Sequence, residues 1–193
     1  MKKILALLLA AVMVLSMAAC GNNANTDETQ ATEATETAAS ALEILETIWA
    51  KYGEDEKFAI IGGNMESAVD GAPGNYDMAY AENLTYNLLV PADQLASVDQ
   101  AATMIHMMNA NTFTCGVVHL TEGTDVAAFA NTMRDAVQGN QWMCGFPETL
   151  VIATIGNYVL VAFGVNDAMT PFQTHFAEAY PNANVLFNEA IAG

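Results

Sequence analysis

Three histidines, three cysteines and eleven methionines are the side chains through which this 193-residue chain could bind a metal or move a proton. His106 falls between Ile105 and Met107, His119 ends an apolar run, and His175 sits within a predicted helix. No two of them share a metal-ligand spacing and no His-Glu-x-x-His occurs, so structural or surface roles account for them best. The most provocative string is Met104-Ile105-His106-Met107-Met108. Thioethers and imidazole suit Cu(I), which makes Met104, His106 and Met108 candidates for a copper carrier. Met104 and Met108 also lie one turn apart on a predicted apolar helix face, where flexible methionine serves as core filler without any metal. A hydrolase with His119 or His175 as base would need a nucleophile and a carboxylate within hydrogen-bond reach, and spacing alone supplies neither. Gly-x-Ser-x-Gly, phosphate-loop and EF-hand patterns are missing from the sequence, so it assigns no catalytic residue and implies no cofactor.

Cys115 and Cys144 are far apart in sequence and form no Cys-x-x-Cys, which disfavours thioredoxin-type exchange. A bridge between them depends on Cα separation, and buried free thiols are the simpler expectation. The least ordinary loops are Asn109–Thr112 and Asn140–Pro147, each joining a helix end to a strand start. The second puts Trp142 and Phe146 in a connection, where a large aromatic is either a hydrophobic plug or a contact surface. If the chain has a site, these two loops are where to look. Glu148 and Asp125 stand at element starts, where capping is reason enough for a carboxylate. Arg134 is expected to answer an acidic neighbour such as Asp135 or Glu178.

These loops must be positioned by a frame, and its centre is Leu150–Ile155, Gly156-Asn157, Tyr158–Val165. Two apolar, β-branched runs around a Gly-Asn dipeptide are the sequence form of a tight β-hairpin. Neither run alternates cleanly, so both faces of the hairpin need cover. Phe113–Leu120 reads as a further strand. Asp125–Gln138 reads as a helix with Val126, Phe129, Ala130, Met133 and Val137 on one face and Gly139 at its end. Thr170-Pro171 looks like the start of a last helix closed by Pro181, and Asn184–Phe187 like a final strand. Upstream, Ser40-Ala41-Leu42-Glu43 is a capping box opening a helix over 41–52. Phe58–Ile61 is a strand or a loop anchor, a strand over Asn83–Val90 competes with a helix over Met78–Leu89, and Pro91–Ala96 is a short helical turn. Ser97-Val98-Asp99-Gln100 reads as a second capping box, opening a helix to about Asn109.

From Phe113 onward the order is strand, helix, strand, strand, helix, strand. That is the split βαβ pattern of a ferredoxin-like α+β sandwich over 113–187. It places the strands at Phe113 and Tyr158 centrally and two helices on one face, with the N-terminal helices packed on the other.

All 22 acidic residues follow Cys20, against Lys51, Lys57 and Arg134 alone, within a formal net charge of −17 for the whole chain. This excludes nucleic acid as a partner, because no basic patch exists to neutralise phosphates. The acidity suits a cation or a cationic peptide, or more simply the repulsion that keeps a surface protein soluble. Lys2-Lys3 and Ile4–Leu15 have the charge and length of an export signal rather than of a membrane span. Residues 21–39 contain no large apolar side chain and read as a tether.

Ser16-Met17-Ala18-Ala19-Cys20-Gly21 resembles the lipobox of bacterial lipoproteins. That resemblance implies a signal peptide over 1–19 and diacylation of Cys20, with a tether over 20–39 and a single domain over 40–193. Together with the tether and Gly156-Asn157-Tyr158-Val159, it is similar to a family of small uncharacterised lipoproteins of Gram-positive bacteria, some labelled bacteriocin transport accessory protein. The resemblance implies location at the extracytoplasmic face of the cell membrane, anchoring through the N-terminal lipid, and an envelope-protein or transporter partner. It transfers no active site. The expectation is therefore a non-enzymatic binding or transport-accessory module.

Overall fold

The computed structural model describes residue 38 and residues 40–192. Cys20, the signal segment and all of the tether except Ala38 lie outside them. Among the described residues eight strands form one antiparallel sheet, and helices cover both of its faces, so the chain is α+β. The strands are β1 (Ile60–Gly62), β2 (Val69–Asp70), β3 (Gly74–Asn75), β4 (Val98–His106), β5 (Phe113–Leu120), β6 (Thr149–Ile155), β7 (Tyr158–Gly164) and β8 (Asn184–Ala190). They lie in the order β2-β1-β4-β5-β7-β6-β8, with β3 also paired to β4. The α-helices are α1 (Ala41–Trp49), α2 (Leu84–Asn87), α3 (Val126–Gln138) and α4 (Asn166–Ala179).

Where local signals agree, the structure follows them. Ser40 accepts the Glu43 N–H through Oγ at 3.1 Å and caps α1. Ile44, Leu45 and Ile48 of that helix are fully buried, each burial worth roughly 1.5–3 kcal/mol. Asp125 caps α3 by accepting the Ala128 N–H at 3.0 Å. The β6–β7 hairpin turns at Gly156, whose φ of +57° is open to glycine at little cost. Its two strands are buried along nearly their whole length, as their lack of alternation requires.

Residues 98–106 depart from expectation: they are β4, not a helix. Ala101 to Met104 are all buried, so the strand is covered on both faces and its apolar residues show no period of two. β5 pairs along one edge, while β1 and β3 share the other. Helix-favouring Ala and Met are overridden by those pairings. Residues 78–87 resolve as a 3-10 segment (Met78–Asn83) running into α2 rather than as a strand. α4 begins at Asn166, five residues before Pro171, which lies inside it. Its first N–H is accepted by Glu148 Oε2 at 2.7 Å, so that carboxylate caps a helix across the sheet end.

β5, β7 and β6 are neighbours in the order expected of a split βαβ unit, with the strands at Phe113 and Tyr158 adjacent. The last strand departs from the ferredoxin-like arrangement. β8 pairs outside β6, and β4 takes the place beside β5. The helices are redistributed as a result. The crossovers β5–α3–β6 and β7–α4–β8 travel in the same lateral direction from strands that run oppositely. A shared handedness therefore puts their helices on opposite faces. α4 packs with α1 over Met104, Phe113 and Leu160, and α3 packs with α2 over Val118, Ile152 and Val161. The expectation of two helices on one face is thus corrected by the position of a single strand.

Candidate functional site

At the end of the sheet where β4 leaves and β5 enters, the two loops singled out by composition meet. Asn109 donates through Nδ2 to the Cys144 carbonyl at 3.1 Å. Asn111 donates to the carbonyls of Cys144 at 3.2 Å and Gly145 at 3.0 Å. Thr114 closes the first loop by donating to the Ala110 carbonyl at 2.9 Å. Carboxamides suit this task, since one side chain can bond several backbone groups at once.

Against these loops stands a third element that sequence reading did not include, α2 and its exit. Leu88 N–H and Val90 N–H both return to the Leu84 carbonyl, at 3.0 and 3.1 Å. This is the wrap of a helix C-terminus through a left-handed residue, usually glycine. Here that residue is Leu89, at φ +60°, the one non-glycine residue with positive φ among the described residues. The conformation costs a leucine roughly 1–2 kcal/mol.

The three elements enclose a cleft of about 300 Å³ whose walls include Tyr86, Asn87, Leu89, Asn111, Trp142 and Phe163. Asn87 and Ala110 also belong to an adjoining recess of about 390 Å³ formed with Gly63, Asn64, Met65 and Ile105. The recess has a fixed wall. Thr103 donates to the Gly63 carbonyl at 2.8 Å, and buried Asn64 donates to the Asp77 carbonyl while accepting from Ser67 N–H.

Trp142 and Phe146 turn out to differ. The Trp142 ring packs on Phe163 with centroids 5.4 Å apart and is half-buried, and its indole N–H is buried without an acceptor among the described residues. Phe146 is 65% exposed, and Met143 beside it 86%. Trp142 therefore lines the cleft, whereas Phe146 stands exposed on the same loop outside that lining. Met65, Tyr86 and Met108, at 94%, 81% and 82%, stand on the other contributing segments. On the far side of the cleft Tyr76 accepts from Asn87 at 3.0 Å, and burial pushes its hydroxyl up to about 12, with Glu66 and Glu82 adding to the shift.

The other candidates are scattered. Because residues 98–106 are a strand, Met104 and Met108 are not one helical turn apart. Met104 is fully buried under α1, whereas Met108 projects from the turn that follows. Between them His106 stacks on Phe58, and its Nδ1 accepts the N–H groups of Met108 and Asn109 at 3.3 Å. His119 Nδ1 lies 2.6 Å from Asp99, the residue at the irregularity in β4, and its ring packs against Tyr158. This is an oriented imidazole, but among the described residues no hydroxyl or thiol hydrogen-bonds to it, so no nucleophile–base pair is assembled. His175 is buried against Tyr52, with Glu56 and Glu178 carboxylates at 3.4 and 3.5 Å. Cys115 and Cys144 are both free, the first buried and the second exposed, so the expectation of burial holds for one only. Arg134 pairs with Asp135 and, from α3, with Glu189 of β8, its Nε 2.7 Å from that carboxylate, rather than with Glu178.

No family model, curated protein or solved structure matches the chain.

Proposed function

We propose that this chain is a non-enzymatic binding module, held at the extracytoplasmic face of the membrane by a lipid on Cys20, that docks an envelope protein or transporter through the cleft walled by Trp142. We further read β5–α3–β6–β7 as a ferredoxin-like split βαβ unit that serves as its scaffold, enlarged by β4 on one side and β8 on the other. The observation that carries the reading is the coincidence of two unfavourable features in the lining of one cleft. Leu89 holds a left-handed backbone, and Trp142 buries an indole N–H without an acceptor, at a cost of about 1–3 kcal/mol. Departures of this kind concentrate where a surface is shaped for something other than stability. An exposed rim of Met65, Met108, Met143 and Phe146 adds the adaptable apolar surface that contact sites favour.

The test is cross-linking in intact native membranes, followed by purification through a C-terminal tag and mass spectrometry. A reproducible envelope partner, lost on Trp142→Ala with Phe146→Ala, is the expected result. Recovery of the protein alone would overturn the reading. Anchoring is checked separately, since Cys20→Ser should abolish incorporation of labelled fatty acid and release the protein from the membrane.

A further inference from the structure

We infer that the cleft receives a basic side chain, a guanidinium or an ammonium group, presented by a polypeptide partner. The inference rests on the binding-module reading and adds the chemistry of what binds.

The first argument is the polarity of the walls. Asn87 commits its amide nitrogen to the Tyr76 hydroxyl, and Asn111 commits its own to two loop carbonyls. In both residues the nitrogen is engaged while the carbonyl oxygen accepts nothing from the described residues. The Asn87 and Asn111 oxygens therefore give the cleft two open acceptors for an N–H-rich side chain, while its Trp142 indole N–H, unpaired among the described residues, is a donor that a backbone carbonyl of the same polypeptide would meet.

The second argument is the sign of the charge. The cleft and the adjoining recess are lined by neutral residues, with no Lys, Arg or His to repel a cation and no Asp or Glu in direct contact with it. Exposed Glu66 and Glu82 both act on Tyr76, the partner of Asn87, so the charge felt behind this residue is negative. Arg134 and Lys57 are engaged elsewhere, with Glu189 and Glu54. The faces of Trp142 and Tyr86 add a quadrupole that attracts cations and gives anions nothing. The net charge of −17 draws a basic partner from a distance.

The third argument separates a polypeptide from a small amine. A free ammonium compound filling 300 Å³ would leave Met65, Met108, Met143 and Phe146 without a role, although Met65 lines the adjoining recess and the other three stand exposed on or beside the two loops that wall the cleft. Apolar residues flanking the basic one would cover them.

The experiment titrates the full chain in detergent micelles with a short peptide of apolar residues around one arginine. The same peptide carrying citrulline, the uncharged isostere, and arginine amide alone are run in parallel. Saturable binding of the arginine peptide is expected, with affinity about tenfold or more weaker for citrulline and weakening as salt rises. Asn140→Lys, which places an ammonium at the cleft wall, should abolish binding, and Gln173→Lys on the opposite face of the sheet should not. Equal binding of the citrulline peptide, or full binding by Asn140→Lys, would overturn the inference. Arginine amide binding as tightly as the peptide would overturn its polypeptide half. Failure of the arginine peptide while cross-linking still returns a Trp142-dependent partner would sink this inference alone, and failure of both experiments would sink the binding module with it.

Discussion

The side-chain amide of Asn111 donates to the backbone carbonyls of Cys144 and Gly145 at 3.2 and 3.0 Å, joining two loops more than thirty residues apart in sequence. With Asn109, which reaches the same Cys144 carbonyl, it fixes the loop that carries Trp142 and Phe146. Each such bond at a partly exposed site contributes roughly 1 kcal/mol or less. Asn111→Ala should therefore lower stability by about 1–2 kcal/mol. Its larger effect should be local: hydrogen exchange over 142–146 should quicken well before the sheet loses protection. Unchanged exchange in that loop would show that the two bonds do not hold it.

The cleft depends in the same way on how closely α2 approaches the sheet. A Cβ added at Gly116 of β5 would lie 2.3 and 2.4 Å from the two terminal methyls of Leu88. Both residues are buried, so neither can relax into solvent. Gly116→Ala should cost roughly 1–3 kcal/mol by overpacking and push α2 outward, widening the cleft. Gly116→Ala combined with Leu88→Ala should be less destabilised than the sum of the single changes, a coupling that a double-mutant cycle measures. Strict additivity would place the clash elsewhere.

Helices α1 and α3 and the β6–β7 hairpin were legible in the sequence because cap, period and turn residue agree there. Ser40, Asp125 and Gly156 each mark a boundary that the apolar pattern independently demands. β4 was not legible, since Val98, Ala101, Ala102, Ile105 and Met108 carry a helical spacing by coincidence. What makes residues 98–106 a strand is pairing on both edges, which no local window contains. The side of the sheet taken by α4 follows from where β8 docks, again a long-range fact. Two walls of the cleft were visible as unusual loops, but the third was hidden because leucine fills a position that glycine would have advertised. The meeting of Asn111 with Cys144 left no trace in either loop's own sequence.

Arg134 and Glu189 couple α3 to the edge strand β8, which is more exposed than the strands within the sheet. The hydrogen bond from Arg134 holds the Glu189 carboxyl below its ordinary value of 4.5, and Gln138 adds a second at 2.8 Å. A carboxyl depressed on folding contributes stability that is complete above its unfolded value and disappears as pH falls through the folded one. Wild type should therefore exceed Glu189→Gln in stability at neutral pH, and the gap should close as pH falls below 4.5 and through the depressed folded value. Urea unfolding of both proteins across that range measures it. A gap constant with pH would mean that Glu189 acts by packing rather than by charge.

The two thiols offer a direct probe of the cleft because their surroundings are opposite. Cys115 is fully buried in the middle of β5, and burial pushes its thiol well up, away from the reactive thiolate. Cys144 is exposed on the loop that Asn109 and Asn111 hold. A thiolate is the reacting species, so burial acts against Cys115 twice, by closing access and by disfavouring its ionisation. With Cys20 acylated or replaced by serine, a maleimide should add one equivalent to the native protein at Cys144, and a second only on unfolding. Because Cys144 adjoins the rim formed by Met143 and Phe146, a bulky maleimide there should also block capture of the cross-linked partner. Cys144→Ser should prevent the block without weakening capture. Native labelling of Cys115 would contradict the packing of α1 over the sheet, and capture unaffected by a bulky adduct at Cys144 would move the contact surface away from this loop.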